Sequence, residues 1–443
     1  MTSMACLARS LQTLFTTTAD AVAHETGFVR RRRKLTGALF AQTLVFGMLG
    51  APDATLRQLQ QAAATAGTAA SVQAIAQRST QTAATFLQRL LGRALETVVS
   101  GEPVAIPLLA RFPAIVVLDS SVVSLPPALA GVWRGCGNQT AQGAQAALKL
   151  QLRYDLCAGG LDVLTLHDGT VSDRQAPSQT APLPPGALRL SDRGFFAAAV
   201  FRAIMVAGGH FLTHPVPRLP ICHPAGTQRS LTRFLAARRT PVVDLDLSIG
   251  SKEPLPCRLI AVRVPDQVAE RRRAQERAEA RREGRAARAS VLAVAGWTVL
   301  LTSLAHNELS VREALVLARL RWQVELTFKL WKSAGNGVSA WRTADPWRLL
   351  CTVYAKLLGC LVQHWLLVSS CWAIPDKSLA AAATTIRARS PSLLSALRRG
   401  CGRLREELAE QRRIISTGCR LHKRVAHPAS FQLLLNPWLT RVN

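Results

Sequence analysis

Acidic side chains are scarce in this sequence: 27 Asp and Glu stand against 55 Lys and Arg over 443 residues, a formal charge of +28. That excess fits a polyanion partner, and nucleic acid is the commonest one. A ribosome-associated or simply soluble basic protein has the same balance, so charge alone names no reaction. Ten cysteines are present without a single Cys-x-x-Cys pair, which argues against a zinc knuckle or a thioredoxin-like site and fits reduced thiols in a cytosolic protein. The opening MTSMACLARSLQTLF lacks a basic segment followed by an uninterrupted apolar one, so no signal peptide is expected. The most membrane-like stretch, residues 349–374, contains Lys356, Gln363 and His364. Lipid penalises all three, so the stretch reads as a buried core helix and no membrane partner is expected. Internal repeats are absent.

What is present divides the chain by texture. Residues 1–104 read as a helical region, with apolar spacing of helical period in GALFAQTLVFGMLG and ATFLQRLLGRALETVV. Between these, TLRQLQQAAATAGTAASVQAIAQRS reads as two short helices joined near Gly67, a helix-turn-helix-like pattern preceded by the basic run Arg30, Arg31, Arg32, Arg33 and Lys34. A small bundle with one solvated basic end has the same signature. Residues 105–215 change to a strand (PAIVVLDSS), a hairpin (AALKLQLRYDL and LDVLTLHDG), a short strand (ALRLSDRGFF), a helix and another strand. This is an α/β pattern with a mixed sheet. Residues 216–303 read as a β-rich insertion containing an Arg-rich helix or arm, AERRRAQERAEARREGRAARAS, either a solvated face or a DNA backbone contact. Residues 304–375 return to core helices, and 376–443 form a helical C-terminal region.

Three acids stand out by context. Asp119 and Asp192 each follow a short apolar strand, and Glu325 lies in a helix among Leu320, Trp322, Val324, Leu326 and Phe328. A carboxylate in apolar surroundings needs a cation or strong donors nearby. Three convergent carboxylates suit magnesium, a hard ion that prefers oxygen. A pair of such ions about 4 Å apart serves phosphoryl transfer. On a continuous helix Arg321 and Lys332 would lie about 40° and 20° from Glu325, placing all three on one face. That face could bind metal and phosphate together, or simply hold an intrahelical Arg321–Glu325 salt bridge.

The segments DSSVVSLP, LSDRGFF and RLRWQVELTFKLWKS resemble the three active-site segments of bacterial insertion-sequence transposases of the DDE type, closest to the insertion-sequence-four family. The resemblance runs over about residues 30–375. The family's Tyr-x₂-Arg-x₃-Glu-x₆-Lys signature falls on Ala318, Arg321, Glu325 and Lys332; the tyrosine alone is replaced. The resemblance implies an RNase H-like catalytic core interrupted by the β-rich insertion. It implies Asp119, Asp192 and Glu325 as catalytic residues holding two Mg²⁺ ions, with Mn²⁺ as a substitute, and Arg321 and Lys332 as DNA contacts. Trp297, 28 residues before Glu325, would stack on a flipped-out base, though it also reads as a buried strand tryptophan. A further basic position of the family falls on His214.

The implied activity is cut-and-paste transposition: cleavage at terminal inverted repeats, then attack by the freed 3′-hydroxyl on the second strand or on target DNA. Double-stranded DNA and a second copy of the chain are the implied partners, with SLLSALRRGCGRLREELAEQRRI as the candidate contact between copies, in a bacterial cytoplasm at the nucleoid. Two rivals keep the basic composition and change the chemistry. One is a non-catalytic DNA-binding derivative. The other is an RNase H-like nuclease without strand transfer.

Overall fold

The computed structural model describes residues 2–31, 34–97, 99–137, 145–222, 228–251, 253–332, 343, 345–421 and 428–439. Arg32 and Arg33 of the basic run, and Ser333 at the end of the third resemblance segment, lie outside the described residues.

The helical reading of the N-terminal region holds. Helix α1 (Met4–Thr13) continues through a π-helical turn into α2 (Ala19–Glu25), followed by α3 (Gly37–Gly50), α4 (Leu56–Ala66), α5 (Val72–Arg78) and α6 (Gln81–Leu95). Hydroxyl residues stop the chain from fraying at the start of these helices. Thr36, Thr55, Ser71 and Thr80 each accept a backbone N–H from the first turn, and Thr55 with Gln58 forms a capping box. Gly67 ends α4 with φ +97°, a left-handed conformation that a side chain resists.

Strands come next: β1 (Ile115–Leu125), β2 (Ala146–Asp155), β3 (Leu161–Asp168) and β4 (Leu188–Ser191), then α7 (Ala198–Val206) and β5 (His210–Thr213). Beyond these are β6 (Pro220–Cys222), β7 (Gln228–Ser230), α8 (Leu231–Ala236), β8 (Val242–Ile249), β9 (Leu255–Arg263), α9 (Asp266–Arg282), α10 (Ala289–Val294) and β10 (Trp297–Thr302). The chain closes with α11 (Val311–Leu320), α12 (Trp322–Lys332), α13 (Pro346–Cys371), α14 (Leu379–Ala388), α15 (Ser390–Arg399), α16 (Cys401–Thr417) and α17 (Ser430–Leu435). The molecule is a mixed α/β protein with helices at both ends of the chain.

Two compact units divide these elements. One comprises residues 1–105, 120–171 and 324–422. Helix α13 is its core: α3, α6, α14 and α16 pack around it, and 94% of its apolar window is buried. Its length and composition would allow it to cross a membrane, yet Lys356, Gln363 and His364 are each 3% exposed or less within the protein. The same unit holds the antiparallel hairpin of β2 and β3. Strand β2 is buried along nearly its whole length, and its two cations are paired: Arg153 with Asp162 at 2.7 Å, and Lys149 with the Val171 carbonyl.

The other unit comprises residues 106–119, 172–323 and 423–443. Its strands run in the order β1, β4, β5, β10, β9, β8, β6, β7. Neighbours β1, β4 and β5 are parallel, and from β5 onward the pairings are antiparallel. Strands β10, β9, β8, β6 and β7 therefore extend the β1–β4–β5 layer edge to edge. A single cluster that includes Phe201, Phe211, Leu247, Leu259, Trp297 and Leu301 packs beneath them.

Candidate active site

In an open α/β sheet, ligands collect beyond the carboxyl ends of parallel strands. Here the ends of β4 and β5 lie side by side, next to the middle of β1. The register pairs Leu118 with Ser191 and Ser191 with Thr213, so the next residues, Asp119, Asp192 and His214, occupy the same level on adjacent strands. Neighbouring strands are about 4.8 Å apart. The apolar run Ile115 to Leu118 fixes this register by being buried throughout, and the burial stops at Asp119. Here the structure differs from the sequence reading. Strand β1 does not end at Asp119 but continues to Leu125, because SVVSL carries on the strand pattern.

Asp192 is held in place by the turn that begins at Arg193. Arg193–Phe195 form one 3-10 turn, closed by the Phe195 N–H donating to the Asp192 carbonyl at 3.0 Å. Phe195 is 1% exposed in a small cluster with Val116, Leu118 and Ala176, so a buried ring anchors the turn. Arg193 donates its Nε to the Pro215 carbonyl at 3.2 Å, which ties the end of β4 to the end of β5.

Asp119 is paired with Arg321, whose Nη1 donates to Oδ2 at 3.2 Å; the Arg321 and Asp119 side chains are 18% and 15% exposed respectively. Arg321 stands at the break between α11 and α12, so the one-helix projection of the sequence reading applies only to Glu325 and Lys332. Glu325 lies in the first turn of α12, half-buried, and Lys332 in its last turn. Lys332 donates Nζ to the Val122 carbonyl at 2.5 Å. Trp322, read as part of Glu325's apolar surroundings, is 45% exposed.

His214 places Nδ1 3.0 Å from the Val299 carbonyl. Burial holds its imidazole below the ordinary histidine range. Asp192 and the Val299 carbonyl pull the other way, while Arg321 and Arg193 add to the lowering.

Asp192 and His214 open onto a pocket of about 400 Å³, with Arg193, Arg272, Arg288, Arg321, Glu276 and Trp297 among its lining residues. Trp297 is 7% exposed, packed in the core, with the Arg263 guanidinium 4.5 Å from its ring centre. Arg272 braces the same strand, donating to the Trp297 carbonyl at 2.9 Å and to Thr298 Oγ1 at 3.1 Å. Glu276, 5% exposed, accepts from Arg285 at 2.8 Å and from the Arg288 backbone N–H at 3.0 Å. These bonds lower its carboxyl to about 2, the Arg288 backbone donor first and the Arg285 guanidinium next.

The structure thus brings Asp119, Asp192, Arg321 and His214 into one neighbourhood, with Trp297 lining the adjoining pocket. Glu325 and Lys332 lie in the other unit. Among the described residues, no group of three or more His, Cys, Asp or Glu is set to hold a metal ion. Sequence reasoning missed Arg193, Arg272, Glu276 and Arg288. The signal was available for two of them: Arg272 and Glu276 are four residues apart on α9 and so share its inward face.

Residues 110–361, more than half of the chain, match the family model of the transposase DDE domain. The chain is 24% identical over 371 residues to the transposase for insertion sequence element IS231B of Bacillus thuringiensis subsp. berliner, covering 77% of this chain and 75% of that one. It is 25% identical over the same length and shares to the IS231C transposase of that organism. A shorter match, 40% identical over 106 residues, joins it to the InsL protein of insertion sequence element IS186A of Escherichia coli (strain K12), covering 24% of this chain and 28% of InsL. The extent of the family match settles the membership, and aspartates stand together within β1 and just past β4: the chain belongs to the DDE transposases of insertion sequences.

Proposed function

We propose that this transposase performs cut-and-paste transposition, with Asp119, Asp192 and Glu325 as its catalytic carboxylates. The observation that carries the reading is the adjacent placement of Asp119 and Asp192 at one level of two parallel strands, beside an arginine-lined pocket. DDE transposase domains generally depend on divalent metal. The donor chemistry fits magnesium: two neighbouring half-buried carboxylates offer hard oxygen ligands, and no thiolate lines the pocket. Glu325 is the third ligand by its place in the signature segment. When bound, two Mg²⁺ ions, or Mn²⁺ in their place, lower the pKa of an attacking hydroxyl and stabilise a leaving oxygen.

The protein's own groups do the rest. Arg321, now on Asp119, is placed to exchange that carboxylate for a DNA phosphate, and Lys332 grips a second phosphate along the strand. Arg193, Arg272 and Arg288 make the pocket beside Asp192 receptive to an anionic backbone. Trp297 forms one wall of a space that would take an unpaired end base; its buried position makes it a wall and not a free stacking platform. Water cleaves the P–O3′ bond at the transposon end, leaving a 3′-hydroxyl on the end and a 5′-phosphate on the flank. The 3′-hydroxyl then attacks a phosphodiester, of the second strand to release the flank or of the target to join it, and in each case the 3′-oxygen of the attacked strand leaves. No covalent bond between protein and DNA is required.

In this reading the core is RNase H-like, supported by the parallel β1, β4 and β5, and the chain falls in the insertion-sequence-four subgroup. Residues 1–104 recognise the terminal inverted repeats, 105–215 with 304–375 form the catalytic core, 216–303 form the insertion and 376–443 a helical end. A homodimer would bridge two ends in the cytoplasm, on nucleoid DNA, with α15 and α16 as the contact. The test is substitution: Asp119→Ala, Asp192→Ala and Glu325→Ala should each reduce end cleavage at least about a thousandfold while a gel shift shows end binding retained. Normal cleavage by any one of the three removes that residue from the set.

A further inference from the structure

The transposase reading gives end recognition to the N-terminal region without saying which surface meets the bases. We propose that helix α6 lies in the major groove of transposon-end DNA, with Gln81 and Gln88 reading base edges and Arg89 and Arg93 holding the flanking phosphates. This rests on the transposase reading.

Composition points to the segment first. From Ala54 to Leu95 the chain contains no Asp or Glu, seven Gln and four Arg. Such a surface offers hydrogen-bonding amides and positive charge with nothing to repel a phosphate. Three helices fall within it, and two are poor candidates. Helix α4 is committed to packing on α3 and α15 through Leu59, Ala63 and Ala66. Helix α5 has only seven residues, and its one cation, Arg78, lies 4.2 Å over the Phe28 ring.

Helix α6 has the length and a usable face. Its 15 residues span about 22 Å. One side, with Phe86, Leu87, Leu90 and Leu91 buried, packs against α2 and α13. The other side carries Gln81, Gln88, Arg89, Gly92 and Arg93, all exposed. At 100° per residue Gln81, Gln88 and Gly92 fall within about 40° of one another, with Arg89 and Arg93 along the rim. The first acid beyond the helix is Glu96, already 3.6 Å from Arg93. A two-residue link, Ser79 and Thr80, joins α5 to α6, so α6 directly follows the α4–α5 pair joined at Gly67, and we assign it the place of a recognition helix. Residues near the start of that helix are the ones that reach base edges.

Gly92 shows that this face is unobstructed. A glycine inside a helix weakens it, and a close neighbour usually explains one. Here a β-carbon would meet nothing within 4 Å. The same holds for Gly402 in α16, so the open space marks a surface that a DNA backbone can approach closely. Glutamine is suited to the N6 and N7 atoms of adenine, and arginine to phosphate.

The test is fluorescence anisotropy with the full-length protein on two duplexes at several salt concentrations, one copied from the ends of its own element and one scrambled. Wild type should prefer the end duplex. Gln81→Ala with Gln88→Ala should cut that preference about tenfold and leave scrambled binding in place. Arg89→Ala should weaken both and reduce the salt slope by about one. Gly92→Trp, which has open space in the fold, should weaken binding without lowering the melting temperature. Variants that melt like wild type and keep its preference and slope overturn the assignment to α6 alone. A wild-type protein that binds both duplexes alike overturns the end-recognition reading and this one with it.

Discussion

His364 is sealed inside α13, 2% exposed, with Nε2 2.8 Å from the Gly159 carbonyl. Burial drives its imidazole down to about 4, against the smaller opposing pull of that carbonyl. Below the ordinary histidine value the unfolded chain takes up a proton that the folded chain refuses until about pH 4, so stability falls as pH drops from 6.5 to 4. The loss should approach roughly 3 kcal/mol. Denaturation of wild type and His364→Gln across that range checks it: the wild-type curve should fall more steeply, and parallel curves would contradict the assignment. The sequence marked His364, Lys356 and Gln363 as polar groups inside an apolar run, which is why a core helix was legible. It could not show their partners. Arg321 makes the same point, since helical spacing points it toward Glu325 whereas its guanidinium reaches Asp119, 202 positions away. Local periodicity carries no information about such a contact.

Helix α11, which delivers Arg321, is anchored at its start by two devices. Ser310 and Glu313 form a capping box, a signal visible in the string SVRE. The second device is not local. Arg258, 3% exposed on β9, grips both oxygens of Asp244 at 2.6 and 2.8 Å and donates to the carbonyls of Ala305 and Leu309 just ahead of α11. Arg258→Met would leave Asp244 with His306 at 3.3 Å as its remaining cationic neighbour and would take the guanidinium from the Ala305 and Leu309 carbonyls. Asp244 keeps 24% exposure, so the cost belongs at the low end for a broken buried pair, about 3 kcal/mol. Urea denaturation should register it, and a loss below about 1 kcal/mol would refute the anchoring role. Element existence was well legible here, element ends less so. The helix read through residue 321 breaks there, and the C-terminal helix breaks at Gly400, where φ is +101°. The Arg-rich segment was legible as charge only; its placement beside Asp192 depends on Glu276 holding Arg285 and Arg288, bonds that charge density does not predict.

Across the whole molecule, the mixed α/β class was legible because alternation gives way to helical period. Strand order was not, because β5 and β10 are separated by residues 214–296 and still pair. The candidate site was partly legible in the same way. Asp119 and Asp192 were marked as acids closing apolar strands, and the register then set them side by side. His214 and the pocket arginines joined them through contacts between distant segments. A charge of +28 implies that DNA binding weakens steeply with salt, but every basic DNA binder shares that property. What separates a transposase from a nuclease or a silent binder is the covalent outcome. The decisive measurement is incubation of the full-length protein with Mg²⁺, DNA copied from the ends of its own element, and a supercoiled target plasmid, with the products then mapped. The account predicts end DNA joined through its 3′-oxygen to the plasmid, with no joining when EDTA removes the metal. Nicked ends without joined product, or intact DNA despite binding, would contradict it.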